Sequence, residues 1–236
     1  MITYSIAKKK DGFGAQYQSI MSGIAFCDFK KFKYIHTKFK VIDRCSDKEV
    51  KKLNNFIGVK NKNDEIIDLS KIDKVERFSR KVHFSEKPDI FYTKEVINKI
   101  RNFYYSTEKP EIKQKYNDIV IHIRRGDVTN DNPKNKKRFI PNHKYKNIIK
   151  MIKKKYPTYS ITIFSEGNEN DFKEIQKYDV RFQLNKPIDY TFHAFVSAKI
   201  LVTSRSSLSY SAAILNKNII YYFDFWHKPL KHWNIL

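Results

Sequence analysis

The sequence predicts an α/β protein built on parallel sheets, and three observations carry that expectation. After Pro110, short apolar runs of strand type alternate with helical patterns, the signature of a parallel sheet with crossover helices. One of those runs, Asp118-Ile119-Val120-Ile121-His122-Ile123, is apolar at nearly every position, as a strand buried on both faces must be. The first forty-odd residues read strand, glycine turn, helix, strand, which begins a second unit of the same kind.

Taken in order, Ile2 to Ala7 is a short strand. Asp11-Gly12-Phe13-Gly14 is a tight turn, with both glycines free to adopt positive φ. Ala15 to Phe26 places Ile20 and Ile24 on one side, as a buried helix does, and Tyr34 to Thr37 is the next strand. Residues 44–110 are polar and rich in lysine, with helices expected near Lys48–Phe56 and Lys94–Tyr105. Beyond Pro110 follow the strand to Ile123, a helix His143–Lys155, a strand Ser160–Ser165 and a helical stretch Asn170–Lys177. A strand Val180–Leu184, a helix Tyr190–Lys199, a strand Ile200–Thr203 and a helix Ser206–Leu215 come next. Ile219–Phe223 is expected to close the sheet. The composition places the domain break near Pro110, giving domains 1–110 and 111–236.

The 236 residues suffice for a real core, and 41% apolar with 15% aromatic residues argue for a folded chain despite 31% charged ones. No run of about 18 apolar residues is present, so no transmembrane anchor is expected. Lys8, Lys9 and Lys10 follow the first apolar stretch rather than precede it, which is the wrong order for a signal peptide, and a soluble cytoplasmic protein is expected. Cys27 and Cys45 permit one disulfide at most and sit in no metal spacing.

The formal charge is +22, and nine arginines leave 38 lysines. The lysines are spread through every segment, a profile of solvated faces under an AT-rich coding bias. An anionic ligand and non-specific polyanion attraction are the other readings of that charge. A specific nucleic-acid binder needs basic and aromatic residues interleaved on one face, and the even scatter does not supply that.

Chemistry is therefore sought where arginines stand together. The strand ending at Ile123 delivers His122, Arg124, Arg125 and Asp127 to the carboxyl edge of the sheet, where ligands bind in doubly wound folds. Arg124 and Arg125 are forked, permanently charged donors suited to a diphosphate. Neighbouring side chains point to opposite faces, so one arginine is expected to face the ligand while the other pairs with an acid such as Asp127. Thr203-Ser204-Arg205-Ser206-Ser207 stands between a strand and a helix. Ser206 and Ser207 there either cap the helix or hold an anion at its N-terminus, with Arg205 adding charge. Gly12-Phe13-Gly14-Ala15-Gln16 lies between strand and helix but is not the dinucleotide fingerprint. The chain contains no P-loop, no DxD, no HExxH and no GxSxG.

His122-Ile123-Arg124-Arg125-Gly126-Asp127-Val128 resembles the HxRR[GT]D motif of the superfamily of α1,2-, α1,6- and protein O-fucosyltransferases. Gly12 to Gln16 resembles the G-x-G-x-Q turn of these enzymes, and Phe164-Ser165-Glu166 their Phe-Ser-Asp. Phe192 to Ser207 is similar to their C-terminal helix and strand ending in a serine pair. The resemblance implies a GT-B-like fold, two Rossmann-like parallel-sheet domains facing a cleft, with the donor held mainly by the C-terminal half. It implies GDP-fucose as donor substrate, no metal ion and no other cofactor, a glycan acceptor, and inversion at the anomeric carbon. It implies that Arg124 holds the β-phosphate, that His122 and Ser165 lie near the nucleotide, and that Ser206 and Ser207 bond the diphosphate. Gly12, Gly14 and Gln16 are implied to contribute from the other half. Asp127 and Asp131 are the candidates for general base, and Asp127 is also a candidate orienter of an arginine. Two residues depart from the pattern, Ala15 in place of Asn and Lys199 in place of Asp. Another sugar nucleotide on the same scaffold and a non-catalytic glycan-binding relative are the rival readings.

Overall fold

The structure, a computed structural model, describes residues 1–7, 10–61, 67–113, 117–131 and 135–236. The chain forms two compact units, Met1–Lys109 with Trp226–His232, and Pro110–Phe225 with Trp233–Leu236. The returning segment is held in the first unit by Lys228, 3.4 Å from Glu86, and by the Lys231 N–H, which donates to Asp89.

In the first unit, β1 (Thr3–Ile6) lies between β2 (Lys33–Tyr34) and β3 (Lys74–Glu76), all parallel. Helix α1 (Phe13–Lys30) packs on β1 and is buried almost continuously to Cys27. Gly23 sets that approach, because a Cβ there would stand 2.5 Å from Ile6 Cγ1. The helix is longer than the expected Ala15–Phe26 because Gly12 is no left-handed turn. With φ −61° and ψ 159° it is the N-cap, and its carbonyl accepts from the N–H groups of Ala15 and Gln16. Gly14 lies inside the helix.

The strand expected over Tyr34–Thr37 stops at Tyr34; the Ile35 N–H still donates to Tyr4 O of β1, but from His36 onward side chains satisfy the backbone. Asn61 exchanges two bonds of 2.9 Å with the His36 backbone, and Asn54 does the same for Phe39 at 2.7 and 2.9 Å. Helix α2 (Asp47–Phe56) starts at a Ser46–Glu49 capping box and buries Val50, Leu53 and Phe56. After β3 come the short α3 (Arg80–His83) and α4 (Lys94–Tyr105), whose first turn Thr93 caps.

The second unit runs β4 (Ile119–His122), α5 (Asn142–Lys155), β5 (Ile161–Ser165), α6 (Lys173–Gln176), β6 (Arg181–Leu184) and α7 (Ile188–Ser197). It continues with β7 (Ile200–Val202), α8 (Ser207–Leu215), β8 (Ile219–Tyr222) and β9 (Asn234–Ile235). The six strands are all parallel in the order β6-β5-β4-β7-β8-β9. Ile219–Tyr222 therefore does not close the sheet, because β9 pairs outside it. The helical stretch expected over Asn170–Lys177 is a 3₁₀ turn, Glu169–Phe172, followed by α6.

Alternation along β4 sorts its side chains. Ile119, Ile121 and Ile123 join the cluster of Tyr145, Ile148, Ile149 and Ile152 from α5. His122, of opposite parity, meets Phe195 of α7 with ring centroids 4.9 Å apart. Helices thus cover both faces. The expected α/β class with two parallel sheets is the observed one.

Candidate active site

Numbered within the second unit, the strand order is 3-2-1-4-5-6, the doubly wound order whose direction reverses between β4 and β7. Loops leaving those strands part at that point, and ligands of such sheets bind in the crevice between them. The loop after β4 carries Arg124 to Asp127, and the loop after β7 carries Thr203 to Ser206. The two arginine- and serine-rich segments are thereby brought together at the reversal.

The two arginines diverge, as the alternation along the strand requires. Arg124, with the parity of His122, forms an ion pair with Asp127 through Nη2 and lies 3.4 Å from Glu166 through Nη1. Its Nε is buried without a hydrogen-bond partner. Arg125, with the parity of Ile123, goes to the α5 side. It donates to the carbonyls of Arg124 and Ile140 and to Asn142 Oδ1, and its guanidinium lies 4.3 Å from the Phe139 ring centroid. Arg125 is thus a buried brace of the loop before α5, and it is Arg124 that pairs with Asp127.

Asp127 is held from two sides, by Arg124 and, at 4.0 Å, by Arg138 of the 3₁₀ turn Lys136–Arg138. Its carbonyl accepts from Asn135 Nδ2 at 2.8 Å. Such a carboxylate orients guanidinium groups; Asp131 is exposed. Gly126 has φ +78°, and a Cβ there would collide with the Glu166 carboxylate, so the tight passage from Arg125 to Asp127 needs glycine.

His122 is buried, Nδ1 has no hydrogen-bond partner, and its pKa is pushed down to about 3 by burial, with the charges of Arg124 and Arg125 adding to the effect. A neutral imidazole therefore stands at the carboxyl end of β4. Ser165 ends β5, and its hydroxyl bonds to the carbonyls of Ile123 and Glu166 at 2.8 and 2.9 Å, which fixes the exit of β4. Arg205 bridges two loops, donating to Asp224 O at 2.9 Å and Lys137 O at 3.0 Å.

Ser206 is the N-cap of α8, and its Oγ accepts from the Leu208 N–H at 3.3 Å, so the capping reading holds for this serine. Ser207 opens the helix and is half-buried. The positive end of the α8 dipole and its first N–H groups lie at the β7 side of the reversal.

Gly12, Gly14 and Gln16 belong to the first unit. Gln16 Nε2 donates to the carbonyls of Asp11 and Val41 at 2.6 and 2.8 Å, which ties the turn to the chain after β2. Lys199 is remote from the reversal. It precedes β7, at the amino end of the strands, and its ammonium pairs with Asp118 at 2.7 Å. Its departure from the Asp of the resemblance therefore leaves the carboxyl-edge site untouched.

Sequence reasoning missed Ser204, Tyr145, Glu166 and Arg138 as site residues. Ser204 Oγ accepts from the Arg124 N–H at 3.2 Å and meets the Tyr145 hydroxyl at 3.0 Å. Ser204 was visible as a member of the polar run at 203–207; Arg138 had no local signal, being brought in by the fold alone.

No protein-family model and no curated protein matches the chain. Among solved structures, the chain is similar to NodZ α-1,6-fucosyltransferase soaked with GDP-fucose, at 9% identity and TM-score 0.46, over 95% of this chain and 96% of that one. Arabidopsis thaliana FUT1 in complex with GDP aligns at 10% identity and TM-score 0.46, over 94% of this chain and 70% of that one. POFUT1 in complex with GDP-fucose aligns at 9% identity and TM-score 0.38, over 99% and 73%. The chain is thus similar, along nearly all of its length, to structures of fucosyltransferases.

Proposed function

We propose that this chain is a glycosyltransferase that takes a nucleotide sugar at the carboxyl edge of its second sheet, with GDP-fucose as donor and a glycan hydroxyl as acceptor. The observation that carries the reading is Arg124, a guanidinium held between Asp127 and Glu166 where the strand order reverses. A diphosphate offers the same bidentate acceptor geometry as a carboxylate, so it can replace Glu166 on Nη1 and take the unpartnered Nε.

In the proposed reaction the acceptor oxygen attacks the anomeric carbon from the face opposite the nucleotide. A new C–O bond forms, the bond from that carbon to the β-phosphate oxygen breaks, and configuration inverts. The acceptor proton passes to a base and GDP departs with an added negative charge. Arg124 and the N-terminus of α8 stabilise that charge, the task a divalent metal performs in other transferases, so the reaction needs no metal and no cofactor. Asp127 and Arg138 hold Arg124 in place, and Ser207 offers a hydroxyl at the same edge.

The test is calorimetry and thermal melting with GDP, UDP, CMP and their sugars, each with and without EDTA. GDP and GDP-fucose are expected to bind and to raise Tm equally in both conditions. Tighter binding of UDP or CMP would assign another sugar nucleotide to the scaffold, and a strict need for manganese would remove the metal-free reading.

A further inference from the structure

The first unit contains a cavity of about 530 Å³ at the carboxyl ends of β1 and β2, within the range of small-molecule sites, roughly 300–1,000 Å³. Its hydrocarbon wall is formed by Ile6, Ile20, Phe39, Val41, Val59 and Leu69. Each amide and hydroxyl side chain on the wall is bonded to the protein's own backbone. Gln16 donates to the carbonyls of Asp11 and Val41, Asn61 exchanges bonds with the His36 backbone, and Thr37 Oγ1 donates to Ile6 O at 2.5 Å. His36 lines the cavity, buried, with neither ring nitrogen bonded.

Four lysines, Lys10, Lys38, Lys40 and Lys60, also line the cavity, and no acidic side chain is among the described lining residues. A bare sugar presents many hydroxyls and needs as many partners, often carboxylates and aromatic faces. This wall offers hydrocarbon, one imidazole and four exposed lysine side chains, which is complementary to a different molecule.

We propose that this cavity binds a small amphipathic anion, an apolar body that fills the Ile6–Ile20–Val59 wall and carries one carboxylate or phosphate to the lysines. The apolar body supplies affinity by leaving water, and the lysines select the charge. All of its lining residues belong to the first unit, and the proposal stands whether or not the second unit takes a nucleotide.

The test uses decanoate, decyl phosphate, decanol and inorganic phosphate, each below any micellar concentration, titrated into the full chain by calorimetry. At least one decyl anion is expected to bind with one-to-one stoichiometry, at least tenfold tighter than decanol and than inorganic phosphate. Which of the two binds tighter tells carboxylate from phosphate. Lys38→Glu with Lys60→Glu should lose at least tenfold. Lys150→Glu with Lys154→Glu, two exposed positions on α5, carries the same net charge and should lose less than threefold. Val59→Phe should weaken both decyl anions by narrowing the cavity, with folding read by circular dichroism. Equal binding of decanol and the anions, equal loss in the two lysine pairs, or no saturable binding would overturn the proposal. GDP titrated into the same samples reads the second unit separately, so a failure there leaves this site standing.

Discussion

The backbone N–H of Arg124 donates to Ser204 Oγ at 3.2 Å, tying the loop that leaves β4 to the loop that leaves β7 at the reversal of the strand order. The same Oγ meets the hydroxyl of Tyr145 at 3.0 Å, which anchors both loops to α5. A single serine therefore ties the backbone of Arg124 to the loop that leads into α8. Catalysis by fixed charge depends on such preorganisation.

Ser204→Ala should leave the Arg124 N–H and the Tyr145 hydroxyl without their shared partner, at a cost of about 2 kcal/mol of stability. It should also loosen Arg124 and weaken GDP binding several-fold. Tyr145→Phe removes the hydroxyl but keeps the Arg124–Ser204 bond, so its loss of stability should be about 1 kcal/mol with GDP affinity nearly unchanged. Urea unfolding and calorimetry on the two variants separate these outcomes. Equal GDP affinity in Ser204→Ala and the wild type would remove the positioning role.

Arg125→Lys should act on stability. Its fork serves two carbonyls and Asn142 over the Phe139 ring, and lysine cannot reproduce that planar set. A loss of about 2 kcal/mol is expected, with the GDP affinity of the folded protein within twofold of wild type. A large affinity loss at unchanged stability would return Arg125 to the ligand.

The two serines at α8 should part company. Ser206→Ala removes the cap on the Leu208 N–H and should cost about 1 kcal/mol of stability. Ser207→Ala should leave stability within about 0.5 kcal/mol and lower GDP affinity. If Ser206→Ala alone weakens GDP and Ser207→Ala does nothing, the helix end binds through a different group.

What could be read in the sequence follows burial. Strands β4, β5 and β7 are apolar runs because both faces are covered, and their limits came out within a residue or so. Strand β3 escaped because Lys74 and Glu76 are exposed and Val75 alone carries an apolar signal. Strand β9, Asn234–Ile235, is exposed and too short for any period. At the site, the alternation of side chains required the two arginines to diverge but did not say which way. That direction comes from the parity shared by Arg124 with His122 and by Arg125 with Ile123, visible once α5 and α7 are placed on their faces. Arg138 reaches Asp127 from farther along the same connection and Glu166 reaches Arg124 from the loop after β5, across sequence distances no local pattern spans.

Acid should destabilise the fold through two histidines. Burial pushes the pKa of His36 down to about 4 and that of His122 to about 3, so both are neutral when folded. An unfolded histidine titrates near 6.5, so the unfolded chain holds more protons below that pH. Stability is full above about pH 6.5 and falls as pH drops toward the folded values, each histidine contributing up to about 1.4 kcal/mol per pH unit. Urea unfolding at pH 7.5, 6.0 and 5.0 should show this slope, and His36→Gln and His122→Gln should each flatten it. A slope that persists in both variants would place the acid sensitivity elsewhere.

The central claim rests on the guanidinium of Arg124, and Arg124→Lys tests it most directly. Lysine keeps the charge and loses the fork that grips a diphosphate as the leaving group gains charge. Transfer or hydrolysis of GDP-fucose by the variant, with folding verified by circular dichroism, is the measurement. The account predicts a folded protein whose turnover falls on the order of a hundredfold, equivalent to about 3 kcal/mol of transition-state stabilisation, in the presence or absence of EDTA. A folded Arg124→Lys protein with unchanged turnover and unchanged GDP affinity would contradict it.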